Sequence, residues 1–100
     1  MNILLVCNAG MSTSLVVQKM EKEAAKRGLE VKIKAEPVEK FEDIIAEYDV
    51  ALLGPQIRYK LKPFKKIGAE NNVPVEVIET AAYGMADGKK VLDHALSLIK

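Results

Sequence analysis

Apolar positions along this chain follow two rhythms. Ile3-Leu4-Leu5-Val6, Val50-Ala51-Leu52-Leu53 and the stretch from Val73 to Ile78 are short runs without strict alternation, the pattern of strands buried on both faces of a parallel sheet. Val31-Lys32-Ile33-Lys34-Ala35 alternates apolar and charged residues instead, as an edge strand with one wetter face does. Between Leu15 and Arg27 the spacing changes. Val16, Met20 and Ala24 recur every fourth residue beside Val17 and Ala25, the charges of Lys19, Lys22, Glu23 and Lys26 fall elsewhere, and Gly28 supplies a stop, which together predict an amphipathic helix. Phe41 to Tyr48 predicts a short helix, and Tyr59 to Asn72 one that is broken or begins near Pro63. Asp87 to Ile99 predicts a last helix carrying Val91, Leu92, Ala95, Leu98 and Ile99.

The elements therefore alternate, β-α-β-α-β-α-β-α. Such alternation predicts an α/β fold of the Rossmann-like or flavodoxin-like kind: a single open four-stranded parallel sheet in the order 2-1-3-4, with right-handed crossovers laying helices on both faces. In sheets of this kind the ligand crevice opens outside the carboxyl ends of the strands, where neighbouring connections leave in opposite directions beside strand 1. Cys7 closes strand 1 at that edge. No internal repeat, linker or low-complexity tract interrupts the pattern, so residues 1–100 are expected to form a single domain.

Composition narrows the function. Fifteen basic and fourteen acidic residues leave a formal net charge of +1, so there is no global field to gather nucleic acid or anionic lipid, and docking must rely on local patches. A single cysteine allows no internal disulfide, and no Cys/His cluster stands at metal-ligand spacing; no metal site is expected, and a reducing cytosol fits best. The run from Ile3 to Val6 is too short for a signal-peptide core and lacks a basic region before it. No segment approaches the roughly 20 apolar residues that span a bilayer.

The chemistry gathers between Cys7 and Ser14. Cys7-Asn8-Ala9-Gly10-Met11-Ser12-Thr13-Ser14 contains no charge, with Gly10 permitting close backbone approach and Ser12, Thr13 and Ser14 offering hydroxyls at the positive end of a helix dipole. Loops of this composition cradle phosphate-like dianions through backbone N–H groups, and the same dipole favours the nucleophilic thiolate of a cysteine placed there. A free cysteine is also often only a small buried hydrophobe, and Ser or Thr before a helix only a cap. The cluster rather than Cys7 alone points to covalent anion chemistry.

Several chemistries of this layout are missing their parts. No Lys follows a second Gly as a Walker loop requires, and the spaced glycines of a dinucleotide fingerprint are absent, so neither nucleotide nor other cofactor is expected. Phospho-acceptor receiver domains place acidic residues where this chain has Cys7 and Leu53-Gly54-Pro55, and dithiol chemistry would need a second thiol where Gly10 stands. The nearest rival is the low-molecular-weight tyrosine phosphatase, whose loop is Cys-x5-Arg-Ser/Thr on a similar fold. The position of that Arg is Thr13 here, and no Asp-Pro pair occurs to act as general acid. Without a guanidinium clamp and a proton donor, a cysteinyl phosphate would form but hydrolyse poorly, which suits a relay.

Strand-Cys7-Asn8-Ala9-Gly10-Met11-Ser12-Thr13-Ser14, with Leu53-Gly54-Pro55-Gln56 after strand 3 and Ala82-Tyr83-Gly84 after strand 4, resembles the IIB component of the bacterial lactose/cellobiose/chitobiose sugar phosphotransferase system. The resemblance covers essentially the whole chain. It implies that Cys7 is the phosphocysteine nucleophile of a phosphotransferase. The group would arrive from the phosphohistidine of a IIA partner and pass to a β-disaccharide such as cellobiose, chitobiose or lactose, held by the membrane-embedded IIC partner. The residues from Asn8 to Ser14 would surround the phosphate. The protein would be cytoplasmic and meet the inner face of the membrane transiently with IIC. The alternatives are a cysteine phosphatase or arsenate-reductase-like hydrolase, with steady turnover of an aryl phosphate, and a silent anion-binding module that forms no adduct.

Other residues carry less. Gln56, just past Pro55, is placed to orient a phosphate oxygen, and Tyr83, after strand 4, to line a partner-facing rim or to fill a turn or core position. Arg58, Lys60, Lys62, Lys65 and Lys66 form a basic run on the Cys7 end of the sheet, either a solvated helix face or, through Arg58 and Lys60, a steering patch for an acidic phosphorylated donor. His94, between Asp93 and Ala95, reads as a helix-surface histidine rather than a phosphohistidine. Met20 reads as core, Met11 as exposed in the loop, and Tyr48 and Tyr59 as packing at helix margins.

Overall fold

A computed structural model of the protein describes residues 1–7 and 11–99, with the side chains of residues 11 and 12 left aside. Strands β1 (Asn2–Cys7), β2 (Lys32–Pro37), β3 (Val50–Leu53) and β4 (Val75–Val77) form one parallel sheet in the order β2-β1-β3-β4. This is the predicted topology. β1 lies between β2 and β3, with Leu4 opposite Lys34 on one side and Ala51 on the other. It has no polar alternation because both of its faces are covered, and Ile3 through Val6 are at most 1% exposed.

Helices α1 (Met11–Lys26) and α5 (Gly88–Leu98) cover one face, packing Val16, Met20, Ala24, Val91, Leu92 and Ala95 over Ile3, Leu5, Val50 and Leu52. Helices α2 (Phe41–Ile44) and α3 (Leu61–Glu70) cover the other, where Phe41, Ile45 and Phe64 lie with Leu4, Val6, Ala51 and Leu53. Gly88 sets the approach of α5 to α1: a Cβ there would come 2.3 Å from the Lys19 carbonyl carbon. Further along, the Arg27 guanidinium donates to Glu23 at 2.8 Å and to Asp93 of α5 at 2.6 Å. That hydrogen bond, with Arg27's charge adding to it, holds the Asp93 carboxyl below the ordinary carboxylate range.

Element boundaries depart from the expectations in instructive places. α1 begins at Met11, four residues before the predicted Leu15, because Ser12-Thr13-Ser14 give no apolar signal although they are helical. Thr13 heads the inward stripe that Val16, Met20 and Ala24 continue, and is 1% exposed. Val17 is half-buried, whereas Ala25 is exposed. The second helical segment is α-helical only to Ile44 and tightens into a 3-10 turn over Ile45–Glu47.

The third segment starts earlier than predicted, as a 3-10 stretch Pro55–Lys60 kinked at Ile57, and becomes α3 at Leu61. Pro63 then falls in the first turn of α3, where its missing N–H breaks no helical bond. β4 is shorter than Val73 to Ile78, with Pro74 just ahead of it, unable to donate to a ladder. Helix α4 (Thr80–Gly84) was not foreseen; its five residues are too few for a periodic signal. Among the described residues no helix is long and apolar enough to cross a membrane.

Candidate functional site at the carboxyl end of the sheet

β1 and β3 end together. The Gly54 N–H donates to the Val6 carbonyl at 2.8 Å and the Ile78 N–H to the Leu53 carbonyl at 2.8 Å, so the chain leaves β1, β3 and β4 at one level. Cys7 is the last residue of β1, a free thiol in a residue 3% exposed, opposite Pro37 of β2. Strand alternation places it on the Ile3/Leu5 face, beneath the layer that α1 begins. Asn8, Ala9 and Gly10, expected to cradle an anion, lie outside the described residues, as do the side chains of Met11 and Ser12. Thr13 and Ser14, expected in the loop, stand in the first turn of α1.

Thr13 is accounted for by an interaction far along the chain. Its Oγ1 lies 3.0 Å from the Tyr83 hydroxyl, a buried pair separated by 70 residues. A hydroxyl in an inward stripe costs free energy unless it is hydrogen-bonded, and Tyr83 supplies the bond. Tyr83 belongs to α4, where its N–H donates to the Glu79 carbonyl at 2.9 Å. Its ring reaches toward Gly54: a Cβ on that glycine would meet Gln56 Oε1 at 2.9 Å, the Val6 carbonyl oxygen at 3.5 Å and Tyr83 Cε1 at 3.7 Å. At 9% exposed, Tyr83 is a buried wall of the site rather than an exposed rim residue.

On the open side of that wall lies a groove of about 480 Å³, lined by Pro55, Gln56, Arg58, Tyr59, Thr80 and Gly84 together with Tyr83. It brings together three residues read separately from the sequence, Gln56, Arg58 and Tyr83. Gln56 and Arg58 are both exposed. Tyr59, expected to pack at a helix margin, is 68% exposed on the groove, with Lys60 Nζ 5.9 Å from its ring centroid. Neither Tyr59 nor Thr80 was singled out as part of a site. An aromatic next to Arg58 was a weak cue, and Thr80 gave none.

The basic run does not act as one patch. Lys65 turns to the sheet edge and pairs with Glu76 of β4 at 2.9 Å, so only its beginning, with Arg58, borders the groove. His94 is half-buried on α5, in a small hollow that Glu79 and Lys90 also line, rather than plainly on the surface. Met20 is fully buried, as expected. Tyr48 is half-buried, and that burial, with Glu36 and Glu47 adding, pushes its phenol up from the usual value.

Known proteins match this arrangement along nearly its whole length. A family model described as the lactose/cellobiose-specific IIB subunit of the phosphotransferase system matches residues 2–94. The chain belongs to that family.

An oligo-beta-mannoside-specific EIIB component of Bacillus subtilis (strain 168) is 44% identical over 97 residues, covering 97% of this chain and 94% of that protein. The solution structure of a cellobiose-specific phosphotransferase IIB component from Borrelia burgdorferi superposes with a TM-score of 0.82 at 40% identity, covering 99% of this chain and 91% of that one. A lactose-specific IIB domain of Streptococcus pneumoniae superposes at a TM-score of 0.89 with 16% identity, over 100% of this chain and 98% of that one, and so speaks for the fold. As a IIB component the chain is a phosphotransferase of sugar uptake, working with IIA and IIC partners and a sugar. Membership favours this over the phosphatase and arsenate-reductase-like alternative.

Proposed function

We propose that the protein is a phosphoryl carrier whose Cys7 sulfur takes the phosphoryl group from a phosphohistidine of the IIA partner and gives it to a β-disaccharide held by the IIC partner in the membrane. In the first step the Cys7 thiolate attacks phosphorus as the P–N bond breaks, and the donor imidazole keeps the bonding pair and takes up a proton. In the second a sugar hydroxyl oxygen attacks, the P–S bond breaks with its pair returning to sulfur, and the hydroxyl proton passes to a base on the acceptor side. Each step is a nucleophilic displacement, and donors fixed at the start of α1 steady the charge on the phosphoryl oxygens. The residues from Asn8 to Ser14 are the proposed cradle, with Gln56 and Arg58 facing the incoming partner across the groove.

The observation that carries this reading is the place of Cys7: the last residue of a central strand, four positions before α1 starts at Met11, inside the stretch that the family model matches. Thr13 supports the preference for relay over hydrolysis. At the position where a tyrosine phosphatase carries its arginine, the chain has a neutral hydroxyl turned inward onto Tyr83, so that position supplies no guanidinium clamp for the phosphoryl oxygens. Two relatives, named for an oligo-beta-mannoside and for cellobiose, support a β-linked sugar, while a third, 40% identical, is named for galactose.

Intact-mass measurement after mixing with a phosphorylated IIA protein of this family tests the proposal. Native protein gains one phosphoryl mass and Cys7→Ser gains none. Equal gain in both, or gain in neither, overturns it.

A further inference from the structure

The geometry points to Tyr83 as a positioning residue for phosphoryl transfer, acting through the Thr13 hydroxyl; this rests on Cys7 as the acceptor. Tyr83 meets the pieces of chain that flank Cys7. Its ring edge packs beside Gly54, where even a Cβ would stand at an ordinary contact distance of 3.7 Å, and the Gly54 N–H is bonded to the carbonyl of Val6, the residue before Cys7. Its hydroxyl meets Thr13, the third residue of α1 and six positions after Cys7 in the chain. The ring thus fixes where the phenol oxygen stands relative to the end of β1, and the phenol oxygen fixes where the first turn of α1 stands.

N–H groups at the start of a helix point along its axis beyond the N-terminus, so the direction of those that open α1 follows the placement of Thr13. A ring serving only to fill space would act equally well as phenylalanine. Here the oxygen adds a directed bond to a second buried side chain, Thr13 being 1% exposed. Positional errors well under an ångström matter at a reacting phosphorus, because in-line displacement depends on the alignment of the attacking and leaving atoms.

Single-turnover transfer from a phosphorylated IIA protein of the lactose/cellobiose family, followed by intact mass, tests this with native protein, Tyr83→Phe, Thr13→Val and the double variant, alongside thermal melts. Each single variant is expected to slow transfer at saturating donor about tenfold, the size of one lost hydrogen bond, while half-saturating donor stays within about twofold of native. The double variant is expected to be no slower than the slower single one, since both remove the same link. Thr13→Ser, which restores a hydroxyl, recovers most of the rate that Thr13→Val loses. Transfer by Tyr83→Phe at the native rate overturns the assignment while leaving Cys7 untouched. Losses that multiply to about a hundredfold in the double variant overturn the route through Thr13. Native protein that gains no phosphoryl mass overturns the acceptor itself.

Discussion

On the α2/α3 side of the sheet, Leu4, Val6, Ala51 and Leu53 share a cluster with Phe41 and Phe64, whose rings stack with centroids 4.0 Å apart and planes within 3°. Among the described residues no buried polar side chain lies on that side. On the α1/α5 side, Ile3, Leu5, Val50 and Leu52 are covered as thoroughly, but the carboxyl end of the layer holds Thr13 bonded to Tyr83. Apolar side chains pack without a required direction, so the first side holds the fold together and tolerates small shifts. A buried hydroxyl pair is satisfied in only a narrow range of positions, so the second side fixes where α1 begins. Cys7, by strand alternation, belongs to that second side.

Substitutions can break this contrast, beginning on the apolar side. Phe41 is 1% exposed and stacked, and Phe41→Ala is expected to cost about 3–5 kcal/mol, a large share of the roughly 5–15 kcal/mol by which domains of this size are stable. Urea denaturation measures the loss. The remaining folded protein is expected to accept phosphoryl at the native single-turnover rate; a rate that falls with stability would mean that the two sides are not separable.

A smaller effect is expected at the closest approach of α5 to α1. Gly88→Ala puts a methyl group 2.3 Å from the Lys19 carbonyl carbon, backbone that cannot swing aside, so the helices must separate at a cost of about 1–3 kcal/mol. Because α1 carries Thr13, this variant is expected to slow transfer as well as lower stability, the reverse of Phe41→Ala in its effect on rate. A native rate in Gly88→Ala would show that the first turn of α1 is held independently of the rest of the helix.

The sheet order was legible because it rests on long signals: apolar runs at Ile3 to Val6 and Val50 to Leu53, and a fourfold repeat through Val16, Met20 and Ala24. Where a signal depended on few residues, boundaries moved. Thr13 was the one polar member of an inward stripe, so the repeat read from apolar residues alone began too late, and three hydroxyl residues assigned to a loop belong to a helix. Cys7 stood out because it is alone and ends a strand. The Thr13–Tyr83 bond left no trace, since a contact across 70 residues imposes no periodicity on either segment. What the sequence did contain was a buried-stripe position occupied by threonine, which demands a hydrogen-bonding partner from elsewhere without naming it. The groove is half legible: the sequence marks Gln56, Arg58 and Tyr83 singly, and only the fold brings them to one groove with Tyr59.

The smallest effect is expected where the α1/α5 side meets water. Arg27 joins the helices by donating to Glu23 and to Asp93, whose side chain is 53% exposed, so screening by solvent leaves the link weak. The Asp93 carboxyl titrates below its ordinary range, chiefly through the Arg27 hydrogen bond. A carboxyl lowered in the folded state stabilises the fold above the unfolded-state value and stops doing so as pH falls through the folded-state value. Thermal melts of Asp93→Asn against native protein should therefore show a small gap near neutral pH, close to the limit of what a melt resolves, that closes in acid below the carboxylate range and narrows in high salt. Transfer should be unaffected, because Arg27 and Asp93 grip the end of α1 remote from Thr13. A gap that persists undiminished in acid would mean that Asp93 contributes through packing rather than charge.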